Sequence, residues 1–150
     1  MPTSYTELFV HIIWGTGGRL PLITDDIAPL LYGSMETQCH RLNTPALAVG
    51  GTEDHVHLLV RLPPLLGVEP LVEAVKAASL NAFTTRIRPG WRFEWHPTYG
   101  AFTLAQAEVP RAMMYVRNQK ALHAAHTLWE RWERYEAPTS PLRPPPNQTL

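Results

Sequence analysis

Apolar and polar positions change period several times along the chain, and each change marks an element. Glu7 to Trp14, "ELFVHIIW", is rich in β-branched and aromatic residues and predicts a strand, ended by Gly15, Gly17 and Gly18. Ile27, Leu30, Leu31, Met35 and Leu42 then recur at helical spacing behind the candidate caps Thr24, Asp25 and Asp26. "PALAVGGT" and "HVHLLVRL" predict a second and a third strand, the latter ended by Pro63 and Pro64. From Glu69 to Ile87 the stripe Leu71, Val75, Ala78, Ala82 and Phe83 predicts a helix, with Pro70 in its first turn. "WRFEWHPTYGAFTLA" predicts one or two aromatic strands broken at His96 and Pro97. A last helix is predicted from about Val109 into "LWERWERYE", with Glu130 and Arg134 paired at i, i+4.

The order strand, helix, strand, strand, helix, strand, helix predicts an α+β fold. It is a ferredoxin-like βαββαβ antiparallel sheet with helices on one face, plus a C-terminal helix carrying Tyr115. Residues 1–136 form the predicted domain. Residues 137–150, with five prolines, are expected to be an extended tail. In this topology the first and third strands are central neighbours. Alternation in the third then sends Val56, Leu58 and Val60 under the helices, and His55 and His57 together onto the face the helices leave open.

Two imidazoles about 7 Å apart at the backbone can converge on one cation. A solvent-facing or hydrogen-bonded pair is the plainer alternative. A third ligand must come from elsewhere: Glu53, Asp54, His11, His96 or the polar face of the last helix. On that helix Tyr115 and Gln119 lie four apart, on one face, which suits either an amphipathic helix boundary or a nucleophile beside an oxygen ligand. A phenol of pKa about 10 needs about 4 kcal/mol to reach its phenolate at neutral pH. A cation polarising a phosphate can supply several kcal/mol.

Composition adds bounds. The chain has 150 residues, 45% hydrophobic and 17% charged, enough for one globular core. Cys39 stands alone, which excludes an internal disulfide and fits a reducing cytoplasm. No run is long enough to span a membrane and the N-terminus lacks signal-peptide features, so a cytoplasmic protein is expected. Thirteen Lys+Arg balance thirteen Asp+Glu, without the basic surplus usual in nucleic-acid binders.

"DHVHLLV" followed some sixty residues later by "YVRNQ" resembles the HUH-type single-tyrosine transposases, the insertion-sequence-200-like family that includes the REP-associated tyrosine transposases. "HIIWGTGGRLPLI", "VKAASLNAF", "WHPTYGAFTLA" and "NQKALHAAHTLWERW" resemble further family blocks in the same order. The loop Thr16 to Arg19 is poorer in basic residues than is usual there, and Ala77 stands where Gly is common.

The resemblance implies a ferredoxin-like dimer that cuts single-stranded DNA beside imperfect hairpins. It implies that His55, His57 and Gln119 hold a divalent metal, Mg²⁺ or Mn²⁺, and that Tyr115 attacks phosphorus to leave a 5′-phosphotyrosine and a free 3′-hydroxyl. In the family the tyrosine helix often serves the partner subunit's histidines. Lys76, Arg117 and Arg19 are candidate phosphate contacts. Trp95, Tyr99 and Phe102 are either base-stacking or core residues. His11 is expected beside the histidine strand, and His123 and His126 at structural or surface positions. The rivals are a hairpin-binding relative without transposition activity and a histidine-triad nucleotide hydrolase, whose third histidine is here Leu59.

Overall fold

The computed structural model describes residues 2–137, so the predicted proline-rich tail lies almost wholly outside the described residues. Four strands, β1 (Phe9–Gly15), β2 (Ala46–Gly51), β3 (His55–Arg61) and β4 (Gly100–Leu104), form one sheet in the order β2-β3-β1-β4. All neighbours are antiparallel, and β1 and β3 are central as the ferredoxin-like topology predicts. Helices α1 (Ala28–Arg41) and α2 (Val68–Ala82) cover one face. There Val10, Ile12 and Trp14 meet Val56, Leu58 and Val60 in a core with Leu31, Met35, Leu71 and Val75. The period of two in the strands and the helical stripes are therefore satisfied by the same interface.

Local chemistry adjusts the element ends. Thr24, Asp25 and Asp26 do not cap α1 through their side chains; the Thr24 carbonyl instead accepts the Ile27 and Ala28 N–H groups. Beyond Ala82 the predicted helix continues as a wider π turn over Phe83–Ile87. The Thr84 and Thr85 hydroxyls there donate to the Leu80 and Asn81 carbonyls, competing with the regular ladder. Of the one or two aromatic strands expected around His96, one forms, Gly100–Leu104. Trp95 makes a single bridge to Thr16.

The largest departure is the last helix. It stops at Arg117 as α3 (Val109–Arg117), bends at Asn118, resumes as α4 (Gln119–Ala124) and ends at His126, whose φ of 54° is left-handed. The chain then reverses, and "LWERWERYE" passes through a single 3-10 turn, Glu130–Glu133. Glu130 and Arg134 still pair at 3.2 Å. Trp132 explains the reversal: it is buried with Phe9, Leu59, Leu104 and Tyr115 in a second core on the sheet face that α1 and α2 leave bare. A straight helix would have left that face wet. Two glycines permit the close cover. A Cβ on Gly50 would stand 2.0 Å from the Val116 carbonyl oxygen of α3, and one on Gly100 would stand 1.9 Å from that of Arg134.

Candidate metal centre and nucleophile

The histidine pair sits where alternation predicts, on the sheet face opposite α1 and α2, but that face is not open. His55 and His57 are 1% and 0% exposed, because α3, α4 and the 3-10 turn of the same chain close over them. Each ring uses its Nδ1 backwards. His55 Nδ1 lies 2.8 Å from Asp54 Oδ1 and 2.9 Å from Thr52 Oγ1, and His57 Nδ1 shares a 2.7 Å hydrogen bond with His11 Nε2. Both Nε2 atoms are thereby turned into the covered space.

Three side chains arrive from above. Gln119 Oε1 lies 3.3 Å from His55 Nε2, while Gln119 Nε2 donates to the Tyr115 carbonyl. Tyr115 is 5% exposed; its hydroxyl donates to Glu133 Oε1 at 2.5 Å and accepts the Trp129 N–H at 3.2 Å. Glu133 Oε2 stands 3.3 Å from His55 Nε2, 3.5 Å from His57 Nε2 and 3.6 Å from His123 Nε2. The expected same-face placement of Tyr115 and Gln119 holds although the helix bends between them.

Burial and charge set the protonation states. Burial pushes His57 down to about 4 and His11 down to about 3. Burial also works against charge on His55, but Asp54 and Glu133 outweigh it and lift that ring to about 9. The Tyr115 phenol is raised by burial and by the Glu133 carboxylate beside it. Burial penalises the Glu133 anion, yet the His55 and His57 rings hold its carboxyl well below the usual range.

These donors fit a divalent cation. His57 Nε2 is fully buried with no hydrogen-bond partner among the described residues, an arrangement that costs free energy unless something accepts its lone pair. Carrying its proton on Nδ1, toward His11, leaves that lone pair free for a cation. His55, His57 and Glu133 each offer a donor atom, all within 4.8 Å of one another, so this cluster could hold one ion.

Other predicted residues fall elsewhere. Arg19 lies at the rim, 3.3 Å from Asp54, beside a cleft of about 620 Å³ that also reaches Lys120 and His123. Arg117 is exposed, its guanidinium on the Leu47 carbonyl. Lys76 belongs to the other face: its ammonium donates to the His96 and Thr98 carbonyls at 2.7 and 3.1 Å and lies 6.0 Å from the Trp14 ring. Trp95 and Tyr99 pack on the helix-side core and Phe102 on the second core, favouring their core role. His96 pairs with Glu136 instead of joining the centre, and Asp54 orients His55 from behind. Leu59 is buried in apolar contacts, which leaves a histidine-triad hydrolase without its third group.

Sequence reasoning missed Glu133 and His123. Glu133 falls in the predicted last helix with no role assigned to it, and His123 is expected at a structural or surface position. The available signal was Trp129 and Trp132, which need apolar cover that only the histidine face could offer.

Comparison with known proteins places the chain. The family described as "Transposase IS200 like" matches residues 4–119, so Gln119 is the last residue inside the match and His123 and Glu133 lie beyond it. A protein from Deinococcus radiodurans R1 assigned as a transposase is similar in structure, with a TM-score of 0.62, 25% identity and coverage of 79% of this chain and 95% of that one. A REP-associated tyrosine transposase, solved bound to a REP hairpin, shares the fold with a TM-score of 0.60, 13% identity and coverage of 82% and 73%. No curated protein matches. With the family match spanning most of its length, the chain belongs to the IS200-like transposases.

Proposed function

We propose that this transposase cuts and rejoins single-stranded DNA at hairpin-flanked ends, with Tyr115 as nucleophile and a divalent cation, Mg²⁺ or Mn²⁺, held by His55, His57 and Gln119. The observation that carries the reading is the convergence of both Nε2 atoms, the Gln119 amide oxygen and the Tyr115 hydroxyl on one buried space within one chain.

When bound, the cation would neutralise charge on the scissile phosphate. The chain's own groups account for the rest. Tyr115 Oη forms the bond to phosphorus while the P–O3′ bond breaks, leaving a 5′-phosphotyrosine and an O3′ oxyanion that takes a proton from water to become the 3′-hydroxyl; that hydroxyl reverses the sequence on a new strand. A free phenolate is disfavoured here, since burial and Glu133 raise the Tyr115 pKa. Glu133 Oε1, 2.5 Å away, is the atom to which the proton passes as the O–P bond forms. His11 and Asp54 fix the two imidazoles from behind.

Arg19 and Arg117 are the proposed phosphate contacts. Lys76 would have to surrender two carbonyls first, and we assign it to holding the 96–98 loop. A homodimer acting on paired hairpins remains part of the reading. Because one chain brings Tyr115 to its own histidines, such a dimer joins two complete sites instead of completing one.

The test is incubation with Mn²⁺ and single-stranded oligonucleotides from the hairpin ends flanking the gene. A denaturant-resistant protein–DNA adduct is expected, absent in Tyr115→Phe. The balanced charge favours a second reading, hairpin binding without strand transfer. Tight hairpin binding with no adduct would establish it.

A further inference from the structure

Glu133 is held too deliberately to be a passing surface acid. The 129–136 segment that delivers it is seated by buried Trp132 and Tyr135, by the close approach of the Arg134 carbonyl to Gly100, and by the 2.8 Å pair between Glu136 and His96. That seating leaves the two carboxylate oxygens facing different partners. Oε1 accepts the Tyr115 hydroxyl, and Oε2 faces three imidazole Nε2 atoms at 3.3 to 3.6 Å. One of those nitrogens, on His57, is buried and without a hydrogen-bond partner among the described residues. Donors so close together, with a bare lone pair among them, are the arrangement a cation holds.

We infer that Glu133 sets which cation the centre takes: its Oε2 ligates the ion carried by His55 and His57, while Oε1 keeps the Tyr115 hydroxyl beside it. The inference rests on the histidine pair being the metal site. Two imidazoles and an amide oxygen form a neutral, nitrogen-rich set that favours Zn²⁺ or Ni²⁺. An anionic oxygen adds charge and hardness, and raises the relative affinity for Mn²⁺ and Mg²⁺. The ligand set is then completed from a segment that lies beyond the family match, in the same chain as the histidines.

The experiment needs no DNA. Mn²⁺ and Zn²⁺ are titrated separately into the full-length protein by calorimetry, with Mn²⁺ paramagnetic resonance as a second readout. The proteins are the wild type, Glu133→Gln, His57→Ala and Glu130→Gln, the last an exposed partner of Arg134 outside the centre. Circular dichroism of the metal-free proteins checks folding. Glu133→Gln preserves shape and can still accept the Tyr115 hydroxyl. Its Mn²⁺ affinity should fall at least about tenfold and its Zn²⁺ affinity by less, shifting the ratio toward zinc. Glu130→Gln should match the wild type.

Unchanged or tighter Mn²⁺ binding in Glu133→Gln, with binding lost in His57→Ala, overturns the inference and leaves the histidine pair intact. Equal loss of Mn²⁺ and Zn²⁺ also overturns it, since Glu133 would not then discriminate. Binding retained in His57→Ala would instead sink the metal-pair reading on which the inference stands.

Discussion

The two faces of the same sheet are built by opposite rules. Against α1 and α2, β1 and β3 present Val10, Ile12, Trp14, Val56, Leu58 and Val60 to a core that is mainly apolar, with Ser79 buried at its edge. One residue along, the same strands present His11, His55 and His57, covered by short, bent elements bearing Tyr115, Gln119 and Glu133. The first face is stabilised chiefly by apolar burial. The second buries polar groups whose desolvation must be offset by partners, and His57 Nε2, without one among the described residues, is an atom that a cation could satisfy. Stability and chemistry are thus divided between faces one residue out of register.

The largest expected effect belongs to the apolar face. Leu58→Ala removes a fully buried side chain and should cost about 2–5 kcal/mol in urea unfolding, equally with and without Mn²⁺. A metal-dependent cost would mean that the faces are not separable.

The histidine face should reveal itself by pH. Between about 4 and 6.5 the unfolded chain binds a proton that buried His57 refuses, so stability falls as pH drops. His11 pulls the same way. Between 6.5 and about 9 the folded chain keeps a proton on His55 that the unfolded chain releases, so stability falls as pH rises. Each of these rings contributes up to about 3 kcal/mol, and stability has its maximum near the ordinary imidazole value. Unfolding in a chelator from pH 4 to 9 checks this. Saturating Mn²⁺ should flatten the alkaline limb, because the cation takes the neutral ring. A flat metal-free profile would contradict the buried geometry.

Next in size is the ion itself. At about 100 times its dissociation constant, Mn²⁺ should stabilise the wild type by about 2.7 kcal/mol, a rise of roughly 5–10 °C in Tm. His57→Ala should show no such rise in a thermal scan.

The same division explains what the sequence made legible. Alternation in "HVHLLV" and the stripes of the two long helices serve one continuous apolar interface, so helix positions and the facing of His55 and His57 followed from periodicity, and strand order from the ferredoxin-like arrangement of those elements. Tyr115 and Gln119 came from a motif whose spacing survives the bend at Asn118. Glu133 and His123 did not, because Trp129 and Trp132 at i, i+3 fit a helix as well as a reversal. What chose the reversal was a bare sheet face distant in sequence. The buried state of the histidines was illegible for the same reason.

The smallest effect sharpens the comparison at the protein surface, between Lys76 on the helix side and Arg117 on the tyrosine helix. Arg117 is exposed and makes one 3.3 Å bond to the Leu47 carbonyl, so its charge is available to a strand approaching α3. Arg117→Ala should weaken hairpin binding by under about 1 kcal/mol at moderate salt, similarly across sequences, and reduce the slope of log affinity against log salt by about one. Lys76 already donates to two carbonyls, and burial lowers its pKa. Lys76→Ala should therefore leave the salt slope unchanged while lowering Tm, since the His96 and Thr98 carbonyls lose their donor. Filter-binding titrations over a salt series separate the two variants. A reduced slope for Lys76→Ala, with none for Arg117→Ala, would place the DNA path on the helix side and detach it from Tyr115.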